Sequence, residues 1–155
     1  MKIGGKKLEG VSTRRIIIPR QDEDIVIIAK GITSYAEFNK ICPPPDPVMK
    51  IYPDGRKELD GENPDYRKAL TKWSERKGQW MILESLSATP DLEWEKVKID
   101  DPETWGSYHQ ELVDAGFVEY EIARIVDGVM TANGINQEMI MEAEKRFLAG
   151  QGRAQ

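Results

Sequence analysis

An α+β fold, with a small β-hairpin-containing N-terminal part followed by a helical C-terminal body of about four helices, follows from three observations. Two short β-branched runs, "RRIIIP" (Arg14–Pro19) and "DIVIIAK" (Asp24–Lys30), flank the polar turn "RQDED". Beyond "DGEN" at residues 60–63, apolar residues recur at helical spacing instead of alternating. The segments with that spacing also have readable ends. Asn63–Pro64 and Asp101–Pro102 are N-cap and first-turn pairs, and Gly116, Gly134 and Gly150 stand where helices stop. The expected organisation is a β-rich N-terminal subdomain with a Pro-rich connector over 1–60, a helical subdomain over 61–150 and a frayed tail over 151–155.

Each element has its own signal. The apolar residues of the first hairpin are consecutive, so either both of its faces are covered or one face awaits a partner. "TSYAEFNKIC" reads as a short helix in which Ser34 and Glu37 have capping-box spacing and Tyr35, Phe38 and Ile41 share a side. "CPPPDP" cannot join a sheet interior and favours polyproline II. Its Pro44 and Pro47 satisfy PxxP without a flanking arginine, which fits a rigid connector better than a docking ligand. "MKIYPDGRKEL" predicts a second hairpin around "PDG". A long helix then runs from Pro64 to about Leu86 with Tyr66, Leu70, Trp73, Trp80 and Leu83 on one stripe, interrupted by Lys77. "SATPDLEWEKVKI" is a connector with room for a short strand. Three helices follow: Asp101 to near Gly116; Val118 to Gly134 with Ile122, Ile125, Val126 and Val129; and Asn136 to Gly150 with Ile140, Ala143, Phe147 and Leu148. Phe117 with Ile122, and Ile135 with Ile140, have the spacing of hydrophobic staples.

The chain has 155 residues, a size that suits one domain with at most a small appendage. Charged residues make up 32% and no apolar run reaches the length of a membrane span. The start "MKIGGKKLEG" lacks an apolar core, so no secretory signal is expected. Cys42 is the only cysteine, which excludes an internal disulfide and a cysteine-based zinc site. The net charge of −5 is unevenly spread. Residues 1–20 carry Lys2, Lys6, Lys7, Arg14, Arg15 and Arg20 against Glu9 alone, whereas residues 84–144 carry only Lys96, Lys98 and Arg124 as bases amid many acids. Without interleaved aromatics, and with an acidic body, the basic end fits a charged strand edge better than a nucleic-acid site.

The stretch "LEWEKVKIDDPETWGSYHQEL" holds two tryptophans, the Asp100–Asp101 pair and the only histidine, His109. Adjacent carboxylates diverge, and Asp101 directly before Pro102 stands where an N-cap belongs. A lone mid-helix histidine with no serine or cysteine partner supports no triad. No P-loop, dinucleotide, zinc-protease or EF-hand motif occurs. We therefore expect no enzymatic activity, no catalytic residues, no bound metal and no cofactor. Trp73 and Trp80 read as core, while Trp94, between acids in the connector, fits core and partner contact equally.

The C-terminal half, "TPDLEWEKVKIDDPETWGSYHQELVDAGF" and then "EIARIVDGVMTANGINQEMIMEAEKRFLAG", resembles the tail assembly chaperones of long-tailed (siphovirus-like) bacteriophages. Their pattern W…DDP.TW..Y..EL..AGF…EI..I…V..AN.LN is met by Trp94, Asp100, Asp101, Pro102, Thr104, Trp105, Tyr108, Glu111, Leu112, Ala115, Gly116 and Phe117. Further on, Glu121, Ile122, Ile125, Val129, Ala132, Asn133 and Asn136 fit as well. The front, "MKIGGKKLEG", a hairpin ending "IIIPR" and a helix running into "EFNKICPPPDP", is also similar. Val118 departs from the pattern where a serine cap is expected, and Gly134–Ile135 replaces a more polar helix start.

The resemblance implies a non-enzymatic protein of the host cell cytoplasm that binds the phage tape measure protein. It would keep that long, helical, aggregation-prone partner soluble until tail-tube subunits polymerise around it. It also implies possible contact with the tail-tube protein and self-association, and no binding to nucleic acid or membrane. The alternative reading is a structural tail or connector subunit of the virion, and a third is a small metal-dependent hydrolase or nuclease. Ile25, Ile27 and Trp94 are the expected partner-binding positions, from the hairpin and the connector.

Overall fold

The structure, a computed structural model, describes residues 1–153. Three two-stranded antiparallel hairpins lead into a helical body, a mixed α+β arrangement. The first hairpin pairs β1 (Lys2–Ile3) with β2 (Lys6–Lys7) around Gly4 and Gly5, both at positive φ as a tight turn demands. The second pairs β3 (Thr13–Ile18) with β4 (Ile25–Lys30), in a register running from Thr13 opposite Lys30 to Ile18 opposite Ile25. After α1 (Ala36–Ile41), the third pairs β5 (Met49–Ile51) with β6 (Lys57–Leu59), and all six of its residues are exposed.

The helices are α2 (Pro64–Leu86), a 3-10 segment (Pro102–Ser107) running into α3 (Tyr108–Asp114), α4 (Glu119–Ala132) and α5 (Gln137–Arg153). Asn63 Oδ1 accepts the Tyr66 N–H at 3.0 Å and Asp101 Oδ1 accepts the Glu103 N–H at 3.2 Å, so both Asx-Pro pairs cap helix starts. Gly116 (φ +96°) and Gly134 (φ +71°) end α3 and α4. In each case the next residue's N–H returns to the carbonyl five back, Phe117 to Leu112 at 3.1 Å and Ile135 to Met130 at 2.9 Å.

Several local expectations are corrected. Tyr35, not Ser34, is the N-cap of α1: Ser34 Oγ accepts the Ala36 N–H at 3.2 Å, while Glu37 pairs with Lys40. No strand forms among residues 87–101, because the N–H groups of Glu95, Lys96 and Val97 are taken by one carboxylate instead of a neighbouring strand. α5 runs through Gly150 to Arg153, and the remainder of the tail falls outside the described residues. Its residues from Gln137 to Gly150 are all exposed, so Ile140, Ala143, Phe147 and Leu148 are not core, and neither Ile135 nor Ile140 is buried as a staple would be.

The hairpin β3–β4 covers one side of a core built with α2 and α4. Ile16, Ile18, Ile27 and Ala29 face inward against Met81, Ile82, Leu86, Leu112, Ile122, Ile125 and Val129. A second cluster joins Phe38, Cys42, Trp80, Leu83, Val97 and Trp105. Lys77, which interrupts the apolar stripe of α2, lies 4.9 Å from the Tyr35 ring centroid and 5.2 Å from that of Trp73, a cation–π role.

The crossing of α4 over β3 is close because Gly128 has no side chain. A Cβ there would lie 2.6 Å from Ile16 Cγ1 and Cδ1. Gly128→Val is therefore expected to destabilise by about 1–3 kcal/mol through overpacking. Gly78 in α2 meets nothing within 4 Å, so Gly78→Ala should stabilise by about 0.5–1 kcal/mol through helix propensity. Urea unfolding of both variants checks the pair, and equal shifts would mean that α4 does not lie this close to β3.

Candidate partner-binding surface

Alternation along β3 and β4 sorts the consecutive isoleucines into two faces. Ile27 is only 8% exposed and faces the helices, and Ile25 is half-buried against the same cluster. The outward pair is Ile17 and Val26, directly opposite each other in the register and 50% and 45% exposed. At non-polar cross-strand spacing these two side chains form one contiguous apolar patch. The hairpin thus has one covered face and one open face.

The strand edges are partly closed by side chains. Thr89 Oγ1 accepts the Ile28 N–H at 2.9 Å and donates to its carbonyl at 3.0 Å. Ser85 Oγ, fully buried, donates to the Lys30 carbonyl at 2.7 Å. On the other strand, Arg124 Nη2 donates to the Ile17 carbonyl at 2.9 Å. These contacts blunt both edges, which leaves the outer face as the more open surface of the hairpin.

Trp94 is half-buried between the two clusters and lines a surface groove with Leu92, Leu112 and Phe117. Glu93, Glu95, Lys96, Glu111 and Asp114 also line it, so its charged side chains are mostly acidic. The connector that holds Trp94 is fixed by Glu111. Its carboxylate accepts the N–H of Glu95 at 2.6 Å, of Lys96 at 3.2 Å and of Val97 at 2.9 Å. Thr104 Oγ1 accepts the Lys98 N–H at 2.9 Å, and Trp105 Nε1 donates to the Lys98 and Ile99 carbonyls.

Phe117 links groove and hairpin, because the Arg20 guanidinium lies 5.4 Å from its ring centroid. Arg20 also holds both oxygens of Glu121, at 2.6 and 3.0 Å. Glu121 in turn accepts the Val118 N–H at 3.1 Å, half of a capping box at a position where valine offers no side-chain acceptor. The Arg20 hydrogen bonds, then the Val118 amide, hold the Glu121 carboxyl below the ordinary carboxylate range. A depressed folded-state pKa contributes stability that is present above the unfolded value and is lost as pH falls through the folded one. Glu121→Gln should therefore flatten the acid limb of the stability profile below pH ~4.5. Urea midpoints from pH 7 to 2 check this, and parallel profiles for both proteins would refute it.

Of the positions expected from sequence, Trp94 and Ile25 are partly accessible and Ile27 is inside. The accessible hairpin residues Ile17 and Val26 were hidden by the unbroken run of isoleucine and valine, which has no period to read. His109 and Asp100 are exposed and come together with no cluster: among the described residues no group of three or more His, Cys, Asp or Glu could hold a metal ion. No described helix is long and apolar enough to cross a membrane. Comparison with protein-family models, curated proteins and solved structures finds no match for this chain.

Proposed function

We propose that this protein is a tail assembly chaperone that binds a phage tape measure protein in the host cytoplasm and shields it until tail-tube polymerisation, without catalysis. The resemblance, which spans nearly the whole chain, suggests the role, and the open face of the β3–β4 hairpin is the observation that supports it. An apolar cross-strand pair, Ile17 and Val26, stands exposed on a scaffold whose other face is fully packed. Such a patch suits weak, repeated contact with the apolar stripe of a long helix. The Trp94 groove is a second accessible apolar surface, lined also by Leu92 and by Phe117, over whose ring the Arg20 guanidinium lies.

The test is coexpression with the tape measure protein. Wild-type chain should keep that protein soluble and copurify with it in several copies. Ile17→Asp with Val26→Asp should abolish solubilisation while circular dichroism stays native. Absence of any association, with the chain instead at stoichiometric levels in purified virions, would establish the structural-subunit alternative.

A further inference from the structure

The two edges of the β3–β4 hairpin are not closed alike. The Ile28 N–H and carbonyl both turn to Thr89, so Ile28 and Arg15 opposite it form a non-hydrogen-bonded pair. By alternation, Thr13 with Lys30 and Ile17 with Val26 are pairs of the same kind. On the β4 edge, Thr89 takes both groups of Ile28 and Ser85 takes the Lys30 carbonyl. The backbone groups of Thr13, Arg15 and Ile17 face the β3 edge. Among the described residues only the Ile17 carbonyl has a partner there, Arg124, and no third strand lies along β3. We propose that the β3 edge takes up an extended, acidic segment of another protein as an added strand. This rests on the hairpin alone and does not depend on the tape measure reading, in which the partner is a helix.

The open backbone groups dictate the partner's shape, because only an extended segment offers amides and carbonyls at the matching interval. The side chains dictate its charge. Arg14 and Arg15 flank the edge on opposite faces and are both exposed, and among the described residues neither is in a salt bridge. Arg14 Nη2 donates to the Met139 sulfur at 3.0 Å, and the Glu121 carboxylate on α4 is held by Arg20. A second copy of this edge would set arginine against arginine and is rejected. The charges that guard the edge against its own kind therefore select a partner of opposite sign. An antiparallel segment fits with one glutamate beside Arg15 on the outer face, a second beside Arg14 on the inner face and a valine beside Ile17.

Amide hydrogen exchange of the full chain, read by NMR, tests this with a capped peptide whose core is valine–threonine–glutamate–glutamate–threonine. In the free protein the Arg14 and Ile16 amides lie inside the ladder and should be protected, while that of Arg15 should exchange freely. Saturating peptide should slow the Arg15 amide about tenfold or more, and leave that of Ile28, already bound to Thr89, unchanged. Methylating the peptide nitrogen that faces the Arg15 carbonyl should abolish binding, and methylating the next nitrogen, which faces solvent, should not. Replacing both glutamates by lysine should weaken binding about tenfold or more, and Arg15→Glu, at an exposed position, should reverse that preference. An Arg15 amide already protected in the free chain overturns the proposal. So does a peptide that binds whichever nitrogen is methylated, the outcome expected if it only covers the outer face at Ile17 and Val26. Absence of any slowing at millimolar peptide overturns it as well.

Discussion

Replacing Trp105 by alanine is expected to destabilise the protein by about 3–5 kcal/mol, the largest loss of any single truncation in the second cluster. The indole is 0% exposed and its ring centroid lies 6.1 Å from that of Phe38. It sits where α1, α2, the connector and the 3-10 segment converge, in one cluster with Trp80, Leu83 and Val97. Alanine would leave a cavity lined by these groups and remove the Nε1 hydrogen bonds to the Lys98 and Ile99 carbonyls at 3.1 and 3.2 Å, of which the Lys98 carbonyl keeps the Asp101 N–H and the Thr104 hydroxyl. A domain of this size has a total stability of about 5–15 kcal/mol, so the variant should be largely unfolded at moderate temperature. Trp105→Phe keeps most of the volume and loses only the hydrogen bonds and one ring, so it should cost less than half as much. Urea unfolding followed by circular dichroism measures both. A Trp105→Ala loss below about 1 kcal/mol would mean that the cluster is not closed around this residue.

Helix punctuation was legible because it is local chemistry. Asn63–Pro64, Asp101–Pro102, Gly116 and Gly134 each act through backbone groups within five residues, and each stands where the sequence places it. Long-range choices were not legible. Nothing near Glu111 announces that its carboxylate will gather three amides from residues 95–97, because the signal is a chain reversal with no local signature. The covered face of β3–β4 was hidden for a different reason: the unbroken β-branched runs, three residues in β3 and four in β4, satisfy either register. One usable signal was Gly128, a glycine inside an otherwise good helical stripe, which marks where α4 crosses Ile16. The stripe of α5 reads as core by periodicity alone, yet its residues from Gln137 to Gly150 are exposed.

The residues that carry the family resemblance are mostly engaged inside the fold. Asp101 caps, Thr104 and Trp105 bind the connector backbone, Glu111 gathers its amides, and Glu121 holds Arg20. Asn133 accepts the Ile32 N–H at 2.9 Å and donates to the Val129 carbonyl at 2.8 Å, tying the end of α4 to the chain leaving β4. Side chains so employed have little left for a partner. A binding surface must then be sought among residues whose side chains are not so engaged, such as the exposed Ile17 and Val26.

Two neighbouring substitutions on β4 should give opposite results. Ile27→Asp would place a carboxylate among Ile16, Met81, Ile82 and Leu86 with no cation in that cluster to pair with it. Burying an unpaired charge costs several kcal/mol beyond the roughly 2–5 kcal/mol of lost apolar volume, so this variant should not fold at neutral pH. Protonation removes the charge, and a partial recovery of structure as pH is lowered toward 4 would identify burial as the cause. Val26→Asp, one residue away, points to the opposite side of the sheet, where Val26 is 45% exposed beside Ile17. Water solvates that carboxylate, and the loss should stay within about 1 kcal/mol, set by cross-strand packing and β-propensity. Thermal melts of the two variants decide the matter. If both unfold, the outer face is covered by something in the folded chain and cannot be the docking surface; if both fold, the hairpin does not pack against α2 and α4 in the register described.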